Sequence, residues 1–437
     1  MIQVLANRTY RHLFSAQVIA LVGTGLATVA LGLLAFQIAG PNAGAVLGTA
    51  LAIKMIAYVL LSPIAGAFAE VLPRRGMLVT LDLARAGVAV ALPFVTDVWQ
   101  IYLLIFLLQS ASAAFTPTFQ ATIPDVLPDE AQYTRALSLS RLAYDLENLL
   151  SPMLAALLLT VISFHFLFAG TVIGFLISAL LVVSVKLPAP AAKERRSVYE
   201  RTTRGIRAYF ATPRLRGLFA LSLGVAAAGS MVIVNTVVFV QGRFGLSQQQ
   251  VAWAMACFGG GSMIAALSLP RLLDRIPDRP VMLTSAALLP VGLIAASNIS
   301  NFTTLMILWL GLGVAYGATQ TPSGRLLRRS TNPQTRPAIF AAHFALSHAC
   351  WLLTYPLAGW LGIELGLGPT ALVLAAIAAF GCVAALWFWP RSDAEIVEHE
   401  HAGLDDDDPH WADGHSRTGR RHSHAFVIDA LHSRWPA

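Results

Sequence analysis

The last 47 residues of the chain carry the side chains with the clearest metal-binding chemistry. Seven of the 11 histidines of the 437-residue chain lie there. Imidazole and carboxylate groups suit nickel, zinc, copper and cobalt ions. The spacing is irregular and lacks the paired cysteines and histidines of a structural zinc site. We therefore expect a flexible chelator that holds several ions loosely, formed by His399, His401, His410, His415, His422, His424 and His432.

The composition of this tail leaves a second interpretation open. Residues 391–437 contain 10 acidic and 5 basic side chains and few apolar ones. Such a segment cannot bury enough surface to fold alone, so we expect a disordered tail. Its histidines are then either metal ligands or incidental members of a solvated acidic segment. No tightly bound cofactor is expected, and a transition-metal ion is expected as the ligand of the tail.

A second group of reactive side chains lies inside long apolar segments. An ionisable residue near the centre of a bilayer costs about 2.5–3.5 kcal/mol on insertion scales and therefore needs a partner. Arg141 and Asp145 are one helical turn apart and can pair with each other. Lys54 and Glu147 then remain, either as a static ion pair or as groups that take up and release a proton. All four are candidates for proton coupling.

The elements that position these residues are apolar helices. Hydrophobic residues make up 56% of the chain and charged residues 12%, against about 25% charged in a soluble protein. This excludes a soluble enzyme, and a basic pI without a solvated basic face does not indicate a nucleic-acid partner. A bilayer-spanning helix needs about 20 apolar residues. Twelve spans are predicted, at 13–38, 44–68, 77–95, 99–121, 137–161, 165–187, 217–240, 250–270, 280–298, 302–321, 338–362 and 369–389.

The positive charges between the spans predict the orientation. Outside the spans, the N-terminus, the even-numbered loops and the link to the tail hold almost all lysines and arginines, whereas the odd-numbered loops hold only Arg243. The positive-inside rule then places both termini of this multi-pass protein in the cytoplasm. The predicted units are a six-helix bundle (1–187), an amphipathic basic linker on the lipid surface (188–216), a second six-helix bundle (217–390) and the tail (391–437).

The two halves of the chain repeat each other at an offset of about 204 residues. Glu70, Pro73 and Arg75 correspond to Asp274, Pro277 and Arg279. Ser151-Pro152 of the fifth span corresponds to Tyr355-Pro356 of the eleventh. Two parallel six-helix repeats joined by a basic loop form a plan in which the substrate site lies near the membrane midplane between the halves.

These residues resemble the major facilitator superfamily. The segment from Gly66 to Arg75 is similar to its loop motif between the second and third helices, with Glu70 in place of the usual Asp. Asp82-Leu-Ala-Arg85, Thr116-Pro117 and Leu149-Leu-Ser151-Pro152 resemble its exporter branch for drugs, macrolides, siderophores and nickel, with Ser151 in place of a glycine. The resemblance implies an all-α protein of a bacterial inner membrane, with twelve transmembrane helices in two pseudo-symmetric bundles.

The resemblance also implies roles for further residues. A gating latch stabilises one of two bundle packings through charged groups near helix ends. Its candidates are Gly66, Glu70, Arg74, Arg75, Asp82, Arg85, Asp274 and Arg279. Polar residues on cavity-lining spans either contact substrate or bond across helices. These candidates are Gln17, Gln109, Asn235, Gln320, His343 and His348.

The sequence therefore favours a monomeric, proton-coupled exporter of nickel or a related divalent ion, embedded in lipid, with the tail buffering the metal. Nickel is selected by the similarity of the His-rich tail to that of nickel-resistance permeases, since ligand affinity alone favours copper. One alternative is export of an amphipathic drug or siderophore by the same fold. Another is a metal-responsive membrane receptor that does not transport. No nucleophile triad, phosphate loop or dinucleotide motif points to an enzyme.

Overall fold

The structure, a computed structural model, is almost entirely helical. It describes residues 2–69, 72–187, 198–273, 275–332, 335–393 and 396–400. In the tail it further describes residues 411, 416–418, 421–428, 431–432 and 435. Glu70 and Asp274 of the predicted latch, and His401, His410 and His415 of the tail, lie outside these ranges.

Six long helices form the N-terminal bundle. Within it, α1 packs on α5 and α6, α2 on α4, and α3 on α4 and α6. Short polar caps begin several of the spans: the side chain of Asn7 accepts a hydrogen bond from the Tyr10 amide, and Asp129 accepts one from the Gln132 amide. The helices are α1 (Arg8–Ala39), α2 (Ala43–Ala69), α3 (Arg74–Ala91), α4 (Val98–Val126), α5 (Glu130–Leu158) and α6 (His165–Val183).

The second half of the chain repeats this arrangement. Here α9 packs on α11, α14 on α8 and α10, and α13 on α8. The short helices α7 and α12 lie between spans, and one turn of π-helix extends α8 at its C-terminus. The helices are α7 (Val198–Ala211), α8 (Pro213–Val237), α9 (Gln248–Leu273), α10 (Asp278–Ala296), α11 (Phe302–Gln320), α12 (Ser323–Arg329), α13 (Arg336–Glu364) and α14 (Leu367–Phe388).

The predicted spans agree with these helices to within five residues, except that α5 begins seven residues before its predicted span. Ten apolar stretches among the described residues are long enough to cross a membrane, and one of them contains both α1 and α2. The 29-residue helix α5, which carries more charge, completes the twelve spans. The prediction of an all-α membrane protein with two six-helix bundles is confirmed. We call the end of the bundles at which α1 begins and α14 ends the tail end, and the opposite one the far end.

The linker between the bundles lies four residues earlier in the chain than expected, between the end of α6 and the start of α8, and it is more closely packed. Residues 213–216, predicted to belong to it, form the first turn of α8. One face of α7 packs on α13, where the Tyr209 hydroxyl lies 3.0 Å from Nδ1 of His343 and Gly205 lies against the backbone of Ala338. The exposed Arg207 lies on the same helix. The linker is thus attached to the C-terminal bundle by a specific contact, in addition to its basic face.

The described part of the tail differs from the expected disordered segment. It contains β1 (Ile396–Glu400), β2 (Ser416–Thr418) and β3 (Arg421–Ala425). These strands form one antiparallel sheet in the order β1-β3-β2. The tail does not bury its apolar residues alone: Phe426 and Ile428, which follow β3, share a buried cluster with residues of α7, α8, α10 and α13. The tail folds because the C-terminal bundle supplies the other half of its core.

Candidate functional site

A line of polar and aromatic side chains crosses the centre of the molecule. Glu147 of α5 and Lys54 of α2 are close enough to interact electrostatically, and both are partly buried. The ammonium group of Lys54 lies 5.9 Å from the ring centre of Tyr58. The Tyr58 ring stacks on His348 of α13 at 5.5 Å between ring centres. We call these four residues the central site, and they join the two bundles.

The central site borders a narrow cavity in the N-terminal bundle. Lys54 lines the cavity together with Thr24, Thr28 and Gln109, among aliphatic side chains. Gln109 is buried, and its Oε1 has no hydrogen-bond partner among the described residues. The cavity encloses about 20 Å³ of space for a water-sized molecule, which is room for about one water. A larger substrate therefore needs the bundles to move apart.

The other predicted cavity residues lie in different places. The side chain of Asn235 donates a hydrogen bond to the Ala358 carbonyl at 2.9 Å, near the far end. Gln17 is buried in α1, and Gln320 is partly buried at the end of α11. His343 faces α7. Of the six cavity candidates, the structure brings Gln109 and His348 to the centre. Among the proton-coupling candidates, the side chains of Arg141 and Asp145 lie outside the described part of the chain.

The bundles meet closely at the far end through small residues. A Cβ atom added to Gly48 of α2 would lie 2.5 Å from the Tyr355 carbonyl oxygen and 3.3 Å from Cα of Gly359 on α13. Beside this contact, the Trp360 indole donates a hydrogen bond to the Thr49 hydroxyl at 3.1 Å. Small residues allow two membrane helices to approach backbone to backbone. The structure is therefore closed at the far end.

Charged pairs organise the tail end of each bundle. In the N-terminal bundle, Arg74 forms an ion pair with Asp125. In the C-terminal bundle, Asp278 pairs with Arg329 at 3.1 Å and with Arg325 at 3.1 Å. Asp278 and Arg329 lie 204 residues after Arg74 and Asp125, so the repeat conserves the ion pair with its charges exchanged.

The remaining latch candidates also have defined contacts. Arg85 pairs with Asp82 within the N-terminal bundle, and Arg75 donates to the Val183 carbonyl at the end of α6. Arg279 donates to the Trp389 carbonyl at 3.0 Å at the end of α14. These described contacts hold helices together within one bundle. The expected role of the latch between two bundle packings stays a prediction.

Four tail histidines converge on one point. His399, His422, His424 and His432 each offer a ring nitrogen, and these nitrogens all lie within 4.8 Å of one another. Three of the four side chains are buried and His399 is partly buried. We call this group the four-histidine cluster. It differs from the expected loose chelator, because strands β1 and β3 position three of these side chains and the buried His432 packs against them.

Comparison with known proteins agrees with this architecture. The profile of the Major Facilitator Superfamily matches residues 13–247 and 218–420, which together cover most of the chain. The chain belongs to the major facilitator superfamily. It is therefore a multi-pass membrane transporter of small molecules and not an enzyme, as the sequence predicted.

Other members of the superfamily are similar to this chain over most of their length. The uncharacterized MFS-type transporter YfiS of Bacillus subtilis (strain 168) is 23% identical over 81% of this chain and 87% of its own. The multidrug efflux pump Tap of Mycobacterium tuberculosis (strain ATCC 25618 / H37Rv) is 26% identical over 82% of this chain and 88% of its own. Among solved structures, an inward-facing bacterial homologue of the lysosomal transporter Spinster superposes with a TM-score of 0.67 at 13% identity, covering 87% of this chain and 97% of that one.

Two features of this superfamily member are not predicted by the sequence patterns. Tyr58 carries no charge and gives no signal that it links Lys54 to His348. Ser151 replaces a glycine in the fifth span, yet it is fully buried against Gly25 of α1, so the small residue that permits close packing lies on the neighbouring helix. A small residue on either helix of a pair can therefore permit the same close contact.

Gly48→Val tests the closed far end. The added side chain meets the α13 backbone, and overpacking of this kind costs about 1–3 kcal/mol. We expect the closed state of the far end to lose population by about tenfold or more, measured by labelling of a cysteine introduced at Thr49. Gly87→Val is the matched control, because a Cβ atom there meets nothing within 4 Å. Equal labelling in both variants would contradict the assignment.

Proposed function

We propose that this transporter exports amphipathic small molecules across a bacterial plasma membrane by alternating access of its two bundles. The observation that carries the proposal is the similarity to the multidrug efflux pump Tap over 82% of this chain. The cavity chemistry supports it: aliphatic side chains surround a few hydroxyl and amide groups and one lysine. Such a lining accepts substrates by shape and apolar area, with few groups that fix their orientation.

The direction and the energy source follow from the charges. The basic residues at the tail end support an orientation with both termini in the cytoplasm. Proton movement is proposed to drive export through Glu147, whose carboxyl group interacts electrostatically with Lys54 in the bundle interior. A protonated Glu147 releases Lys54 from the pair. The protonation state can then bias the two packings of the bundles, which differ in how the central site is exposed.

A transport assay separates the possible cargoes. Cells that lack their own drug pumps and express the full chain are expected to accumulate less of a planar cationic dye and of a macrolide than control cells. Nickel, cobalt and zinc contents are measured in the same cells, and collapse of the proton gradient is expected to abolish dye export. Unchanged dye and macrolide levels in cells that contain the protein would contradict the proposal.

Export of nickel or a related divalent ion is the second candidate, and the four-histidine cluster is the observation that favours it. In that case cells expressing the full chain would hold less metal, and His422→Ala/His424→Ala would raise it again. A change in gene expression with metal, without any flux of dye or metal, would instead favour a metal-responsive receptor.

A further inference from the structure

The strand register of the tail assembles the four-histidine cluster. Residues two apart in a strand point to the same face of the sheet, which places His422 and His424 of β3 side by side. His399 of β1 lies directly opposite His422 in the antiparallel pair. His432 reaches the same point after the chain has passed Ile428. Side chains that are 33 residues apart in sequence therefore meet in one place.

The backbone determines which ring nitrogen two of these histidines present. Nδ1 of His399 lies 3.0 Å from the Val397 carbonyl oxygen, and Nδ1 of His424 lies 2.9 Å from that of Ala425. Because a carbonyl oxygen only accepts hydrogen bonds, each Nδ1 carries the proton. Each Nε2 then presents its lone pair. Outer carbonyl groups orient metal-binding histidines in this way.

The nitrogen separations suit a single ion. Nε2 of His399 lies 3.0 Å from Nε2 of His432 and 3.1 Å from Nε2 of His422. In a tetrahedral site with metal–nitrogen bonds of about 2.0–2.1 Å, the ligand atoms are about 3.3 Å apart. Neutral imidazoles bind zinc, copper, nickel and cobalt, whereas calcium and magnesium require oxygen ligands. The cluster thus has the donors for one first-row transition-metal ion, and binding would draw in the nitrogen atoms that are still up to 4.8 Å apart.

Apolar and aromatic contacts join the cluster to the C-terminal bundle. The Phe426 ring centre lies 4.8 Å from that of His399 and 4.7 Å from that of His432. Phe426 shares its buried cluster with Leu218 of α8 and with Trp389 at the end of α14. An ion that fixes the histidines therefore also fixes the ring that anchors the tail.

A series of aromatic and charged contacts continues from Phe426 to the loops at the tail end. The Trp435 ring centre lies 5.0 Å from that of Phe426, and the Arg214 guanidinium group covers the Trp435 ring at 4.9 Å. Arg214 also lies 3.5 Å from Asp393, which lies 3.8 Å from Arg329 of α12. The series therefore reaches the first turn of α8 and the segment between α11 and α13.

We infer that the four-histidine cluster binds one transition-metal ion of the zinc, cobalt, nickel or copper class, and that this ion holds the tail on the C-terminal bundle. The site is a structural and regulatory one, distinct from the central cavity. It does not depend on whether the cargo is a drug or a metal, since its ligands lie outside the bundles.

Cobalt binding to the full chain tests the ligand set. The protein is purified without a histidine tag, stripped with a chelator and titrated with Co²⁺ against a competing chelator. We expect one tight equivalent with the intense visible absorption of a tetrahedral cobalt site. His422→Ala/His424→Ala is expected to weaken cobalt binding more than about 100-fold. Removal of a group that only orients a ligand typically weakens metal binding about 10- to 100-fold.

The remaining tail histidines provide the matched control. The variant His401→Ala/His410→Ala/His415→Ala is expected to keep the tight equivalent and its spectrum. An equal loss in this variant, or several weak equivalents and no tight one in the wild-type protein, would overturn the inference in favour of loose chelation. His424→Gln keeps a polar side chain of similar size. Loss of the tetrahedral spectrum there supports ligation, and its persistence would overturn the assignment.

Amide hydrogen exchange tests the docking. With metal at 100 times its dissociation constant, linkage predicts up to about 100-fold slower opening of residues 421–428 and of the first turn of α8. Exchange in α11, away from the tail, is expected to stay unchanged. Equal protection with and without metal, or the same metal effect in His422→Ala/His424→Ala, would overturn the docking role.

Discussion

Glu147→Gln is expected to abolish uphill export while the protein still reaches the membrane. The substitution leaves the partly buried Lys54 beside an amide in the bundle interior, and the uncompensated charge costs up to about 3 kcal/mol, the lower end of the range for a fully buried pair. This energy corresponds to a shift of up to about 100-fold between the packing that buries Lys54 and the one that exposes it. Substrate efflux is measured in inverted vesicles with an imposed proton gradient. Glu364→Gln, at the exposed end of α13, is the control.

The double variant Lys54→Met/Glu147→Gln distinguishes proton coupling from a static ion pair. Removing both charges eliminates the uncompensated lysine, so protein stability is expected to return. If Glu147 carries the coupling proton, exchange of substrate down its gradient survives in the double variant, whereas uphill export does not. We expect this result, together with loss of the pH dependence of exchange. Full recovery of uphill export would assign the two residues to a structural pair.

The helices could be predicted from sequence because the bilayer constrains them strongly. A span must be long and apolar whatever its neighbours are, and the predicted segment 302–321 corresponds to α11 at Phe302–Gln320. The internal repeat was also informative, since the 204-residue offset relates the Arg74–Asp125 and Asp278–Arg329 pairs. Which charged groups meet is harder to predict, because it depends on how the helices rotate and pack.

The tail could not be predicted from its own composition. The alternation of His422, His424, Phe426 and Ile428 is the pattern of a half-buried strand, and the structure buries all four. The apolar half of this face finds its partners on α8, α10 and α13, which are distant in sequence. Taken alone, the segment has too few apolar residues to form a core, so its composition predicts disorder. The strand pattern by itself predicts that His422 and His424 lie on the face that packs on the C-terminal bundle.

Asp82→Leu is expected to lower the free energy of unfolding by about 3–5 kcal/mol, the range for a broken buried ion pair. Asp82 is fully buried and accepts hydrogen bonds from Arg85 and, at 2.7 Å, from the Ser178 hydroxyl of α6. The Arg85 guanidinium group lies 4.1 Å from the ring centre of Phe115 on α4 and 4.4 Å from that of Phe175 on α6. Without the carboxylate, this guanidinium group stays among aromatic rings with its main counter-charge removed. Unfolding is measured by detergent titration.

The double variant Asp82→Leu/Arg85→Met should recover most of the lost stability, because apolar side chains of similar volume often replace a buried ion pair at little cost. The coupling energy from the double-mutant cycle then measures the interaction between Asp82 and Arg85. A double variant as unstable as Asp82→Leu would contradict this account. Since the described contacts of the pair lie within one bundle, we expect the stable double variant to export at the wild-type rate. Restored stability with impaired export would instead place Asp82 and Arg85 in the latch that changes between the two packings.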